Sequence, residues 1–257
     1  MVKITEFISE NMSLYLKNPV GCVIILYYNT KGSIAMAKKK IQIISTIIIA
    51  CIIMGFVDAV LQPGYAVKSA IKMVLFLGLP ILYSLINKDK SLKKVMIPDK
   101  KGIRLAMLLG ACVYIVVLGA YLIFRNVFDF SALTTSLTST TGVKKSNFLF
   151  VALYISFVNS LLEELFFRGF AFITLKKYAD WKFACVFSST LFALYHIAMM
   201  IGWFGLPVLF LSVIGLIIGG VIFNLIDQKG GTIYLSWLIH MFANFATNTI
   251  GFMLFAE

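Results

Sequence analysis

The chain is poor in acidic residues and in histidine, which limits where polar chemistry can occur. Of its 257 residues, 11 are Asp or Glu and two are His. The four cysteines, Cys22, Cys51, Cys112 and Cys185, lie in apolar segments and form no CxxC pair. This pattern excludes a disulfide framework and a cysteine metal cluster, and it predicts buried thiols. The chain also has no H-E-x-x-H and no Gly-x-Ser-x-Gly motif, the signatures of many zinc peptidases and serine hydrolases.

Apolar residues, by contrast, dominate the composition. Hydrophobic residues make up 60% of the chain and the mean hydropathy is +0.94, more apolar surface than a soluble domain of this length could bury. The apolar runs are long and do not alternate, so they predict helices and not the strands of a β-barrel. We therefore expect an all-α, polytopic transmembrane bundle. The predicted spans, each near the ~20 residues that a bilayer requires, are about seven: 41–62, 67–87, 104–124, 148–174, 183–201, 206–226 and 232–255.

The residues before the first span are harder to assign. Residues 1–16 carry apolar side chains at helical spacing, which predicts an amphipathic helix on the membrane surface. Residues 20–37 would form an eighth span if the apolar run after Pro19 continued to Ala37. We expect three regions: a cytoplasmic or interfacial segment (1–40), N-terminal transmembrane helices (41–146), and a transmembrane core with polar motifs (147–257).

The net charge of +12 comes mainly from basic residues between the predicted spans. Residues 38–40, 88–104 and 176–182 hold most of them, and the positive-inside rule places these segments in the cytoplasm. Anionic lipids are their expected partners, so the charge requires no nucleic acid. The Ser/Thr-rich loop predicted at 131–142 then lies on the opposite side.

Polar residues inside the last four predicted spans point to function. Glu163 and Glu164 lie in the fourth span, His196 in the fifth, and His240 and Asn244 in the seventh. An ionised carboxylate costs several kcal/mol in hydrocarbon, about 2.5–3.5 on insertion scales, so such residues need compensation. At 1.5 Å per residue, the glutamate and the two histidines lie roughly 18, 20 and 12 Å from the cytoplasmic face, so they can meet. A single membrane histidine would more simply be a hydrogen bond between helices; two histidines and a diacid favour chemistry.

The spacing of these residues suggests how they cooperate. Arg168 is one turn after Glu164 and can neutralise it, while Asn159 is one turn before Glu163 and can hydrogen-bond to it. A buried carboxylate with a histidine forms a general base for water. A second histidine with an asparagine amide supplies donors to an oxyanion. The set predicts water-mediated amide hydrolysis.

The motifs Glu163-Glu164-Leu-Phe-Phe-Arg168, Phe192-x-x-x-His196 and His240-x-x-x-Asn244 resemble the signature of a known family. This is the CAAX protease and bacteriocin-processing (CPBP, or Abi) family of intramembrane glutamic proteases. The resemblance covers residues 147–255 and implies helices around a polar cavity open to the cytosol. It implies that Glu163 and His196 activate water, that His240 and Asn244 stabilise the oxyanion, and that Glu164 and Arg168 support them, with Asn159 and Phe192 alongside. It also implies a bacterial plasma-membrane enzyme without a cofactor, acting on a membrane-associated peptide, a bacteriocin-type precursor or a prenylated C-terminus.

Other readings of the same residues stay open. Glu163, His196 and His240 could be the three protein ligands of a catalytic zinc ion. Intramembrane Glu and His also build proton relays and transporters, although the chain shows no paired halves. Finally, the protein could be a regulator or immunity protein that binds a partner membrane protein without catalysis.

Overall fold

The computed structural model of the protein describes residues 19–98, 102–128, 130–203 and 205–256. The amphipathic helix predicted for residues 1–16 lies outside these ranges. All regular structure within them is helical and no strand occurs there, which confirms the all-α prediction. The α-helices are α1 (Pro19–Phe56), α2 (Tyr65–Met73), α3 (Leu79–Asn87), α4 (Ser91–Val95), α5 (Ile103–Phe124), α6 (Ser131–Thr141), α7 (Phe148–Tyr154), α8 (Ser160–Glu163), α9 (Trp181–Met200), α10 (Leu206–Gly230) and α11 (Tyr234–Leu254).

Six helical stretches in the described residues are long and apolar enough to cross a membrane, so the protein is an integral membrane protein. They are Thr30–Leu61, Tyr65–Asn87, Ile103–Phe124, Phe148–Lys177, Trp181–Met200 and Leu206–Gly230. The seventh predicted span forms α11, 21 residues long. Its apolar character is diluted by His240, Asn244 and Asn248, and it is not among the six. The total of seven spans stays a prediction.

Several local expectations differ from the structure. Residues 131–142, predicted as a loop, form the helix α6, with Leu133 and Leu137 spaced one turn apart and Gly142 ending it at φ 69°. Residues 20–37, the possible eighth span, belong to the same helix as the start of the first predicted span, since α1 runs from Pro19 to Phe56. Whether they form a further span stays a prediction. Proline fits the first turn of a helix, where its missing N–H has no partner to lose.

The prediction of buried thiols holds only in part. Cys185 is buried, Cys51 is partly buried and Cys112 is exposed on α5. All three are free thiols. The exposed position of Cys112 fits a helix whose outer face carries large apolar side chains, such as Ile115 and Val116, toward lipid.

The chain divides into two units between Gln42 and Ile43, and the site described below lies in the second. An aromatic core packs the second predicted span against the fourth. Phe76 stacks on Phe166 with ring centroids 4.2 Å apart, and it meets Phe167 and Tyr195 edge to face at 5.5 and 5.3 Å. This packing fixes the second span beside the fourth, one turn from the polar residues of the site.

The helices α9 and α10 approach each other closely at Gly220. A Cβ there would lie 3.1 Å from the backbone Cα of Ser189, while one at Gly215 or Gly219 would meet nothing within 4 Å. Gly215 and Gly219 have the four-residue spacing of a helix-packing motif, but the close contact between α9 and α10 is at Gly220. Next to it, Asn224 Nδ2 donates to Cys185 O at 3.1 Å, which ties the two helices together.

Polar contacts at the ends of the spans hold the connections in place. Thr232 Oγ1 donates to Val95 O at 3.0 Å and so anchors the start of α11 to α4. Asp89 accepts from Tyr178 Oη at 2.9 Å and from Lys177 Nζ at 3.1 Å, and also from the side chain and backbone of Ser91. Burial opposes ionisation of Asp89, but these donors outweigh it and lower its pKa to about 2.

Candidate active site

The fourth predicted span has an irregular backbone where its two glutamates lie. The four-residue helix α8 ends at Glu163, between π-helical segments at Ile155–Asn159 and Glu164–Thr174. Thr174 Oγ1 follows the wider register, since it donates to the carbonyl of Gly169 at 2.8 Å, five residues earlier. Short π-helical turns inside helices are frequent at functional sites. Here the segment turns two successive carboxylates toward different neighbours.

Three predicted site residues from three helices meet around one carboxylate oxygen. Glu163 Oε2 lies 3.6 Å from His240 Nε2 and 3.8 Å from His196 Nε2. All three side chains are buried, with residue exposures of 2% for Glu163, 9% for His196 and 7% for His240. The structure therefore brings together α8, α9 and α11 at these three side chains.

Hydrogen bonds fix the orientation of both imidazoles. His196 Nδ1 lies 2.7 Å from the carbonyl oxygen of Phe192, which can only accept, so Nδ1 carries the proton. His240 Nδ1 lies 2.8 Å from Glu164 Oε1 and donates to that carboxylate. A neutral imidazole protonated at Nδ1 presents a lone pair at Nε2. Both histidines therefore turn a proton acceptor toward Glu163.

This arrangement gathers acceptors without a donor between them. With both imidazoles neutral, Glu163 Oε2 and the two Nε2 atoms all carry lone pairs, and separations of 3.6 and 3.8 Å are too long for direct hydrogen bonds. A molecule that donates two hydrogen bonds satisfies such a site, and water is the simplest one. The geometry suits holding a water and taking a proton from it.

Glu164 is held by an arginine of its own helix and by His240. Arg168 Nε lies 3.2 Å from Glu164 Oε2, an ion pair without hydrogen-bond geometry, and both side chains are fully buried. The guanidinium lies over the ring of Phe192 at 4.1 Å and over Phe223 at 5.0 Å. Glu164 therefore contacts His240 at Nδ1 with one oxygen and faces Arg168 with the other, a carboxylate–imidazole geometry like that of a catalytic triad.

The two predicted asparagines have different surroundings. Asn159 Nδ2 donates to Glu163 Oε1 at 3.1 Å, the hydrogen bond expected from their spacing. Asn244 Nδ2 donates to the carbonyl oxygen of Ile155 at 3.1 Å, in the π-helical turn before the glutamates. That bond uses one of its two N–H groups and leaves one for another acceptor.

Lys72 is a member of the site that sequence reasoning missed. Its Nζ lies 2.5 Å from both Glu163 Oε1 and Asn159 Oδ1, and the residue is 5% exposed. A lysine inside an apolar span is itself a signal of function, and Lys72 is such a residue in the predicted span 67–87. Sequence reasoning also missed Asp227, near the end of α10. Asp227 is fully buried, accepts a hydrogen bond from Ser236 Oγ at 2.7 Å and interacts electrostatically with Glu164 and Arg168.

The site is more closed than the open cavity that the family resemblance implies. Lys72 and the surrounding aromatic rings cover Glu163, which leaves 2% of the residue exposed. The zinc alternative fits this chemistry poorly. An ammonium 2.5 Å from Glu163 opposes a divalent cation on the same carboxylate, and no group of three His, Cys, Asp or Glu side chains in the described residues is arranged to hold a metal ion.

Comparison with known protein families agrees with the water-dependent chemistry that the geometry of the site suits. Residues 145–246 match the model of a family described as Type II CAAX prenyl endopeptidase Rce1-like. The match includes every motif residue from Glu163 to Asn244, and it confirms the sequence resemblance over that part of the chain. It indicates an endopeptidase, and so a hydrolase, whose substrate is a peptide or protein. No curated protein and no solved structure matches the chain.

Proposed function

We propose that the protein is a metal-independent intramembrane endopeptidase in which Glu163 and His196 activate water. The observation that carries this proposal is the convergence of Glu163 Oε2 with the Nε2 atoms of His196 and His240, three acceptors from three helices. The family match over residues 145–246 supports the same reaction class.

In this reaction the water held between the acceptors attacks the carbonyl carbon of the peptide bond. One proton of the water passes to the Glu163–His196 pair as the C–O bond forms. His240 takes up a proton from solvent at Nε2 before the reaction and keeps it through turnover; in this doubly protonated form, which Glu164 stabilises from the Nδ1 side, it donates from Nε2 to the oxyanion. Asn244 donates its remaining N–H to the same oxyanion. Collapse of the intermediate breaks the C–N bond, and the amine leaves with the proton taken from the water.

The substrate we propose is a peptide or protein held at the membrane. Its class is a propeptide, a bacteriocin-type precursor or a prenylated C-terminus, and the last agrees with the name of the matching family. We further propose that the protein lies in a bacterial plasma membrane with its site on the cytoplasmic side. The basic residues at 38–40, 88–104 and 176–182 would then contact anionic lipid.

The experiment is a cleavage assay of purified protein in detergent on a pool of membrane-associated peptides, read by mass spectrometry. Wild type is compared with Glu163→Gln, with and without a zinc chelator. Products that require Glu163 and survive the chelator support the proposal and identify the substrate. Products lost with chelator would establish the zinc enzyme instead.

A second candidate function is favoured by the closed site. Glu163 is nearly inaccessible and already holds an internal cation, as in a protein that uses this fold to bind a membrane partner without catalysis. No product from wild type on any peptide pool, together with recovery of the same membrane partner by wild type and Glu163→Gln, would support this function and reject the peptidase.

A further inference from the structure

Lys72 reaches the site from a part of the chain that the family match does not cover. It lies on α2, 91 residues before Glu163, and the matched segment begins at residue 145. Its ammonium has two oxygen partners, Glu163 Oε1 and Asn159 Oδ1, each at 2.5 Å. The rings of Tyr195 and Phe76 face it at 5.0 and 5.4 Å. These oxygens and ring faces favour a localised positive charge.

The contacts of Lys72 make the two oxygens of Glu163 unequal. Oε1 accepts from Lys72 and from Asn159 Nδ2, which itself is oriented because its Oδ1 faces the same ammonium. Oε2 accepts from neither and faces the two Nε2 atoms. A carboxylate free to rotate about its last bond would offer either oxygen to the histidines. The closed triangle of Lys72, Asn159 and Glu163 removes that freedom.

The charges of the site give Lys72 a second effect on the base. Lys72 opposes Glu163, while Arg168 opposes Glu164 and also interacts with Asp227. With Lys72 neutralising Glu163, His196 need not be protonated to do so, and it keeps the Nε2 lone pair that accepts a proton. Without Lys72, the nearest groups able to compensate Glu163 are the two histidines, and protonation of His196 would end its use as a base.

We propose that Lys72 is the positioning residue of the general base: it keeps Glu163 ionised and keeps Oε2 directed at the water between the histidines. This rests on the proposed peptidase function. It assigns Lys72 no contact with the substrate, so its loss lowers kcat and leaves KM unchanged.

The chain offers a matched control one helical turn away. Lys68 lies on the same face of α2, is largely buried and forms an ion pair with Asp58. Lys68→Met therefore removes a buried cation from the same helix without touching Glu163. Comparison of Lys72→Met with Lys68→Met separates an effect on the site from the general cost of losing such a pair.

The test measures kcat and KM for the peptide identified above, with thermal midpoints for every variant. We expect Lys72→Met to lower kcat about 100-fold with unchanged KM. Lys72→Arg should keep kcat within about tenfold of wild type because the charge and the N–H donors remain. Lys68→Met should retain wild-type kcat. In Lys72→Ala, n-propylammonium should restore kcat at least about tenfold by occupying the vacated space. Tetramethylammonium, which carries the charge without an N–H donor, should restore nothing.

The outcomes separate this proposal from the function on which it rests. If wild type cleaves nothing, or Glu163→Gln still cleaves, the peptidase itself is rejected and the role of Lys72 with it. If Glu163→Gln is inactive but Lys72→Met matches Lys68→Met, the peptidase stands and the positioning role is wrong. If kcat falls only in proportion to the folded fraction and propylammonium restores nothing, Lys72 is merely structural. Should Lys72→Ala not fold, the Met and Arg variants decide between these results.

Discussion

The adjacent carboxylates Glu163 and Glu164 lie in two differently built surroundings. Glu163 uses one oxygen for Lys72 and Asn159 and leaves the other facing two lone pairs. Glu164 uses both oxygens, one for His240 and one for Arg168. A carboxylate that must exchange a proton has to keep an oxygen available, whereas a carboxylate that orients a neighbour can use both. Under the proposed function, the first carboxylate carries the chemistry and the second supports His240.

Replacing each carboxylate by its amide is the sharpest way to break this comparison. In Glu163→Gln the amide oxygen can still accept from Lys72, and the amide N–H groups can donate to the two imidazoles. We therefore expect folded protein with kcat reduced about 10³-fold. Both variants leave a buried cation without its carboxylate, but Lys72 can lose its proton in Glu163→Gln whereas Arg168 stays charged in Glu164→Gln, so the thermal midpoint should fall further in Glu164→Gln. Equal losses of thermal midpoint in the two variants would contradict the division of roles.

Replacing Arg168 tests the surroundings of Glu164 by themselves. Arg168→Met leaves Glu164 ionised, buried and unpaired, which should cost about 3–5 kcal/mol of stability. The double variant Glu164→Gln/Arg168→Met removes both charges and should recover part of that loss. Folded yield and thermal midpoints in detergent measure the loss in the single variant and the recovery in the double variant. A single variant as stable as wild type would show that the ion pair does not support the site.

His196 and His240 differ in the partner of Nδ1, which is the backbone carbonyl of Phe192 for His196 and the carboxylate of Glu164 for His240. His196→Ala and His240→Ala should each lower kcat by about two to three orders of magnitude, since each removes a proton acceptor or an oxyanion donor. His240→Ala should also lower the thermal midpoint more, because it releases Glu164, whereas His196 releases only a backbone carbonyl. Wild-type kcat in either variant would remove that histidine from the mechanism.

The smallest effect is expected at Asp89, a hydrogen-bonded carboxylate outside the membrane spans. Its pKa of about 2 lies below the ordinary value of 3.8, so its contribution to stability is present above pH 4 and is lost as the pH falls toward 2. Asp89→Asn should cost about 1 kcal/mol at neutral pH and leave kcat unchanged. Thermal midpoints between pH 2 and pH 5 should fall more steeply for wild type than for the variant. Parallel curves would contradict this contribution.

Sequence reasoning found the residues of the site that lie in recognisable motifs, and missed those that do not. Glu163, His196 and His240 could be predicted to meet because depth in a membrane follows from residue count along straight helices. Their pairing with Lys72 depends on which span packs beside the fourth, and long-range packing of aromatic side chains decides that. The rule that a charge inside the membrane marks function applies to Lys72, within the predicted span 67–87, and would have identified it, whereas Asp227 falls just beyond the predicted span 206–226.

The backbone of the fourth span was also beyond prediction. Nothing in the residues Glu164–Thr174 distinguishes a π-helical segment from an α-helix, because both place apolar side chains inward at similar spacing. Likewise, Gly215 and Gly219 have the spacing of a packing motif, yet the close contact is at Gly220. The neighbouring helix determines which face of α10 is covered, and that information lies in Ser189 and Asn224 together.

The pairing of Lys72 with Glu163 has a consequence for the response of the protein to membrane voltage. A unit charge moved across the bilayer gains or loses roughly 2.3 kcal/mol per 100 mV. An intact pair is electroneutral, so the resting field does almost no net work on it in place. Any step that draws the ammonium away from the carboxylate along the membrane normal would separate charge in that field, and the energised state of the cell would then bear directly on how firmly Glu163 is held in position.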